Sequence, residues 1–167
     1  MRLGFVSLPT RGAADQLLAE LARRWAAAGR PCVALVRAAP EALDPARPCE
    51  MALELWPGGQ IYPISQDLGP GAEGCSLDAG ALELAAAAAE TALARAPAGA
   101  PLILNKFGKQ EAGGHGLRPL IGAALAEGRA VLLSVPPETR AAFEAFAEGL
   151  GAELPPEIAA LDDFLRA

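Results

Sequence analysis

Four short apolar runs, at residues 3–8, 31–37, 101–104 and 130–135, alternate along the chain with stretches of helical periodicity. This alternation constrains the fold more than any other feature. The runs are short for helices and are bounded by Pro, Gly or charged residues, so they read as buried strands. After the first, Leu17, Leu18, Leu21 and Trp25 share one face of a helix from about residue 14 to about residue 28, with Gly29 as its stop. The opening therefore reads strand, helix, strand.

A Pro-rich excursion through Pro40, Pro45 and Pro48 follows. Residues 51–56 and 60–64 flank Pro57-Gly58-Gly59, the turn chemistry of a β-hairpin. Pro63 cannot donate to a ladder, which puts the second hairpin strand at an edge. Asp78 is suited to cap an Ala-rich helix over residues 79–95. Leu117, Leu120, Ile121 and Ala124 mark a helix closed by Gly128, and Pro136-Pro137 opens another with Phe143, Phe146 and Leu150 on one face. Residues 155–167 supply one short helix. Strands that alternate with helices call for a mostly parallel α/β sheet in three layers, with right-handed crossovers and one inserted hairpin. Residues 1–167 are expected to form a single α/β domain.

Aromatic residues make up 5% of a chain that is 52% hydrophobic, so the core must be Leu, Val, Ile and above all Ala. Such small side chains suit helices packed closely on a sheet. A net charge of -6 disfavours non-specific nucleic-acid binding, because phosphates repel an acidic surface. No apolar run reaches the roughly 18–20 residues of a membrane span, and the first residues read as a strand rather than a signal peptide. Cys32, Cys49 and Cys75 have no Cys-x-x-Cys spacing, which points to free thiols in a reducing cytoplasm rather than a zinc or redox pair.

In open parallel sheets, ligands bind beyond the carboxyl ends of the strands. The loop after the first strand is Leu8-Pro9-Thr10-Arg11-Gly12-Ala13-Ala14-Asp15. It occupies the slot of a phosphate-binding loop but has one glycine and no lysine, against the G-x-x-x-x-G-K-[ST] pattern. Thr10, Arg11 and Gly12 could still hold an anion at the helix start, with Asp15 partly opposing it. The loop after the third run is Asn105-Lys106-Phe107-Gly108-Lys109-Gln110-Glu111-Ala112-Gly113-Gly114-His115-Gly116-Leu117-Arg118. It gathers both lysines and the only histidine, with four glycines that permit close backbone approach. One reading makes it an anion-binding loop, with Lys106, Lys109 and Arg118 as charge partners and Glu111 as their organiser. The other is a solvated loop whose Lys–Glu contacts are structural. His115 by itself is weak evidence for a base or a metal ligand. Ser65, Gln66 and Asp67 form a third polar cluster that could orient a ligand, or whose Asp67 could cap a turn. A Ser-His-Asp triad from these residues has no nucleophile elbow to support it.

The segments Ser65-Gln66-Asp67-Leu68-Gly69-Pro70-Gly71, Gly74-Cys75-Ser76-Leu77-Asp78, Asn105-Lys106-Phe107-Gly108-Lys109-Gln110-Glu111 and Gly116-Leu117-Arg118 resemble domain-of-unknown-function family 2478, an uncharacterised bacterial family. Its members are found near molybdate-transport genes, which implies a link to metal-oxyanion handling. The element order also resembles the small P-loop nucleoside-triphosphatases, implying a P-loop-NTPase-like (Rossmannoid) sheet. In those enzymes an acidic pair ends the strand corresponding to residues 102–104, where this chain has Asn105 and Lys106. The resemblance thus implies a nucleotide- or oxyanion-binding domain without a complete hydrolytic site, and no metal or cofactor is specified. The alternatives are a nucleoside-triphosphate phosphatase or related phosphotransfer enzyme, and a protein-interaction subunit linked to molybdate handling.

Overall fold

The structure is a computed structural model and describes residues 1–47, 50–66 and 76–167. In chain order the strands of the main sheet are β1 (Arg2–Val6), β2 (Val33–Arg37), β3 (Ala52–Trp56), β4 (Gln60–Pro63), β7 (Leu102–Lys106), β8 (Ala130–Ser134) and β9 (Gly151–Glu153). A two-stranded ribbon, β5 (Ser65–Gln66) and β6 (Ser76–Leu77), lies between β4 and β7 in the chain. The helices are α1 (Ala13–Ala27), α2 (Ala79–Arg95), α3 (Lys109–Ala112), α4 (Arg118–Ala126), α5 (Arg140–Ala147) and α6 (Ile158–Arg166).

The main sheet runs β4-β3-β2-β7-β8-β1-β9. β2, β7, β8, β1 and β9 are mutually parallel, while β3 and β4 add an antiparallel hairpin beside β2. The four apolar runs are thus parallel strands of one sheet. The hairpin pairs as its turn chemistry requires, and Pro63 lies on the terminal strand.

Alternate residues of each strand face opposite layers. Val33, Leu35, Leu102, Leu104, Val131 and Leu133 pack with α2, α4 and α5. Ala34, Val36, Ile103 and Leu132 pack on the other face with α1 and α6. Four strands, β1, β2, β7 and β8, are buried on both faces, which explains why their sequences are continuous apolar runs rather than alternating ones.

Two local expectations need correction, and one strand is added. β7 continues through Asn105 and Lys106, so these end a strand instead of opening a loop, and the next residues include the helical turn α3. α5 stops at Glu148, whose φ of 47° breaks the helix, so Leu150 is 47% exposed and does not join Phe143 and Phe146. β9 was not anticipated, because Gly-Ala-Glu carries no strand propensity; its pairing with β1 creates it.

Candidate functional site at the carboxyl edge

β1 and β8 are neighbours, yet their chains leave in opposite directions: β1 leads to α1 on one face, and β8 leads to α5 on the other. This divergence is the topological switch point of an open α/β sheet, where a crevice forms. Asp15, in the first turn of α1, faces the ends of β7 and β8 and is 8% exposed. Its Oδ1 lies 2.5 Å from the hydroxyl of Ser134, the last residue of β8, which is 1% exposed. That hydroxyl is also 2.5 Å from the Asn105 carbonyl oxygen. Lys106 completes the group, with Nζ 3.7 Å from Asp15 Oδ2. One ammonium and one carboxylate therefore meet over the ends of β7 and β8. The Asn105 Oδ1 atom is buried and has no hydrogen-bond partner among the described residues.

The β1–α1 loop reaches α1 through Gly12, the N-cap, at φ 78°. An added Cβ there would lie in a disfavoured conformation and 3.1 Å from Arg37 Nη1. Arg37, at the end of β2, thus places its guanidinium beside the start of α1. It belongs with the site and was missed, although a charged residue ending a buried parallel strand was a legible signal. Thr10 and Arg11 are exposed, and the Thr10 carbonyl accepts the Ala13 N–H at 3.1 Å.

Glu111 organises the segment after β7, but through backbone groups. It is 3% exposed. Its Oε2 accepts the Gly108 N–H and its Oε1 the Leu117 N–H, both at 2.8 Å. The Gly116 N–H is held from α2 by Glu83 Oε1 at 2.7 Å. Burial pushes the Glu111 carboxyl above its usual range, against the opposing pull of those N–H groups and of Lys106. A group whose pKa is higher folded than unfolded adds stability that is complete below the unfolded value, about 4.3. That stability is lost as pH rises through the folded value. The stability of the native chain relative to Glu111→Gln should therefore fall from acid to neutral pH in urea unfolding. A difference that rises would contradict the upward shift.

The three expected charge partners do not gather at one point. Lys106 reaches α1. Arg118 turns to the other layer, where its Cζ stands 4.7 Å over the Phe146 ring and its Nη1 lies 3.5 Å from the Glu111 carbonyl oxygen. Lys109 and His115 are exposed. Ser65 and Gln66 lie in β5, next in the chain to β4, which stands three strands from β7. Gln66 Oε1 and the Ser76 hydroxyl are 3.4 Å apart. Asp67, Cys49 and Cys75 lie outside the described residues. Among the described residues Cys32 is buried and free, and its thiol is pushed by burial up to about 11. No group of three His, Cys, Asp or Glu side chains is placed to hold a metal among these residues. None of their helices is long and apolar enough to cross a membrane.

The parallel sheet, its strand order and the switch point between β1 and β8 define a fold of the P-loop NTPase type. Two solved structures share it. THEP1 from the hyperthermophile Aquifex aeolicus superimposes with a TM-score of 0.66 at 12% identity, covering 99% of this chain and 95% of that one. A human cancer-related nucleoside triphosphatase gives a TM-score of 0.65 at 15% identity, with the same coverage of 99% and 95%. The chain belongs to the family described as "Protein of unknown function (DUF2478)", which matches residues 4–164. It is also 36% identical, over 143 residues, to the molybdenum import ATP-binding protein ModC 2 of Bradyrhizobium diazoefficiens. That match covers 84% of this chain and spans 15% of the length of that relative.

Proposed function

We propose that this chain binds a nucleotide or an oxyanion at the carboxyl edge of its sheet, without a complete hydrolytic site. The observation that carries this is the arrival of Lys106 from β7 and Arg37 from β2 at the first turn of α1, behind a glycine-capped loop. Helix starts favour anions through free N–H groups and the helix dipole, and here two cations from neighbouring strands reinforce that preference. Against G-x-x-x-x-G-K-[ST], Gly12 takes the second glycine position and Ala13 and Ala14 take those of the lysine and the hydroxyl residue. Lys106 stands close enough to supply the missing charge from another strand. Asn105 and Lys106 stand where the acidic pair of a hydrolase would be. Binding without turnover fits that set better than the alternative of a phosphatase or phosphotransfer enzyme. In this reading residues 1–167 act as one α/β domain in the cytoplasm.

The test is thermal unfolding in the presence of nucleotides, phosphate, sulfate, molybdate and tungstate. A ligand at a hundred times its Kd should stabilise the chain by about 2.7 kcal/mol. Lys106→Ala should weaken binding of the active anion by at least about 10-fold, the lower end for a charge-assisted hydrogen bond. The melting temperature without ligand should stay close to that of the native chain, because the Lys106 side chain is 45% exposed. Normal binding by Lys106→Ala would rule this site out. Phosphate release from any nucleotide would favour the enzyme alternative.

A second reading, a protein-interaction subunit linked to molybdate handling, draws on the match to a segment of the molybdenum import ATP-binding protein. It predicts no thermal shift with any of the small anions.

A further inference from the structure

Asp15 stands where an anion-binding edge would be expected to exclude a carboxylate. It lies in the first turn of α1, buried, with Ser134 on one oxygen and Lys106 on the other. A side chain at the third helical position leans back toward the helix start, so its charge sits beside the start of α1, with Ser134 and Lys106 as its partners. Asp15 is thus a resident anion that already satisfies part of the positive field of the site.

The consequence depends on ligand charge. The Coulomb cost of approaching a fixed carboxylate scales with the charge of the incoming group. A single tetrahedral dianion pays it twice over, and a polyphosphate chain pays it three or four times in the same space. Lys106 and Arg37, less the charge of Asp15, leave a small net positive charge for the ligand to neutralise.

We propose that Asp15 is a specificity-determining residue, which makes this edge a site for a single tetrahedral oxyanion of low charge rather than for a polyphosphate chain. The inference rests on the binding reading above and narrows its substrate class.

The experiment measures sulfate and pyrophosphate binding to the full chain by calorimetry, in the native protein and in Asp15→Asn. Asparagine keeps the shape and an oxygen for the Ser134 hydroxyl while removing the charge. The native chain should bind sulfate in preference to pyrophosphate. In Asp15→Asn, sulfate affinity should rise about 10-fold and pyrophosphate affinity by a larger factor, about 30-fold, in proportion to charge. Selectivity then shifts toward pyrophosphate, which a purely structural role for Asp15 would not produce. If the native chain binds sulfate and Asp15→Asn leaves the ratio of the two affinities unchanged, this inference fails and the binding reading stands. If neither protein binds either anion, the inference fails, and the nucleotide, molybdate and tungstate arms of the thermal screen decide the binding reading. Binding that appears only in Asp15→Asn overturns the inference, because Asp15 would then exclude both anions instead of selecting between them. Circular dichroism checks the fold, and Asp15→Ser serves as a second variant. If neither variant folds, Asp15 is a structural residue and the inference is overturned.

Discussion

Arg129→Ala is expected to lower the unfolding free energy by about 3–5 kcal/mol, because it removes three hydrogen bonds to backbone carbonyls, two of them buried, and leaves a cavity. The residue is 5% exposed and lies just before β8, at the end of the sheet opposite the candidate site. Its Nη1 donates to the carbonyls of Pro97 at 2.9 Å and Ala100 at 3.1 Å, and its Nη2 to that of Leu93 at 3.3 Å. Glu127 receives its Nε at 2.6 Å and balances the charge. One guanidinium thereby joins the end of α2, the turn into β7 and the end of α4. Arg129→Lys should recover only part of the loss, since an ammonium keeps the charge but cannot span that fork of acceptors. Urea unfolding of both variants decides the matter. A loss below about 1 kcal/mol, the worth of one ordinary hydrogen bond, would mean that water replaces the side chain.

Gly116→Ala should cost about 3 kcal/mol or more, from two penalties that act together. Gly116 has φ 61°, a conformation that L side chains resist. An added Cβ would also stand 2.2 Å from Glu111 Oε1. The methyl group can be accommodated only if Glu111 releases the Leu117 N–H or the turn opens, and either leaves a buried polar group unpaired. Leu117 and Leu120, both buried in the core beneath that turn, should then gain exposure. Faster amide exchange at Gly108 and Leu117, the two groups that Glu111 accepts, would report the disruption directly. A variant with native stability and native exchange would show that the turn shifts freely.

The strand-and-helix order was legible because β2, β7 and β8 are buried on both faces and so read as unbroken apolar runs. The hairpin was legible from Pro57-Gly58-Gly59, and the start of α2 from Asp78, which accepts the Ala81 N–H at 3.0 Å. β9 was not, since three residues of weak propensity become a strand only where β1 offers an open edge. The candidate site was legible as loops but not as partners. Lys106, Lys109 and Arg118 lie close in sequence and look like one cationic cluster. The chain turns between them, however, and sends Arg118 to the α5 face and Lys106 to α1.

The sequence by itself therefore determined the class of fold and the edge of the sheet at which chemistry would be sought. Strand burial, turn residues and caps are local properties, recorded within a few positions of one another. Only the tertiary structure decided which charges meet. Asp15 touches Ser134 across 119 positions of chain, and Arg37 comes to Gly12 because α1 packs across the face of β8, β7 and β2. Such pairings depend on strand order and crossover direction, which no local spacing encodes. The same holds for Glu111, whose short distance to Lys106 in sequence suggests an ion pair, while the folded turn gives its oxygens to the N–H groups of Gly108 and Leu117 instead. Burial makes the difference: once the carboxylate is out of water, the nearest N–H groups that need a partner claim it, whatever charge stands nearby in the sequence.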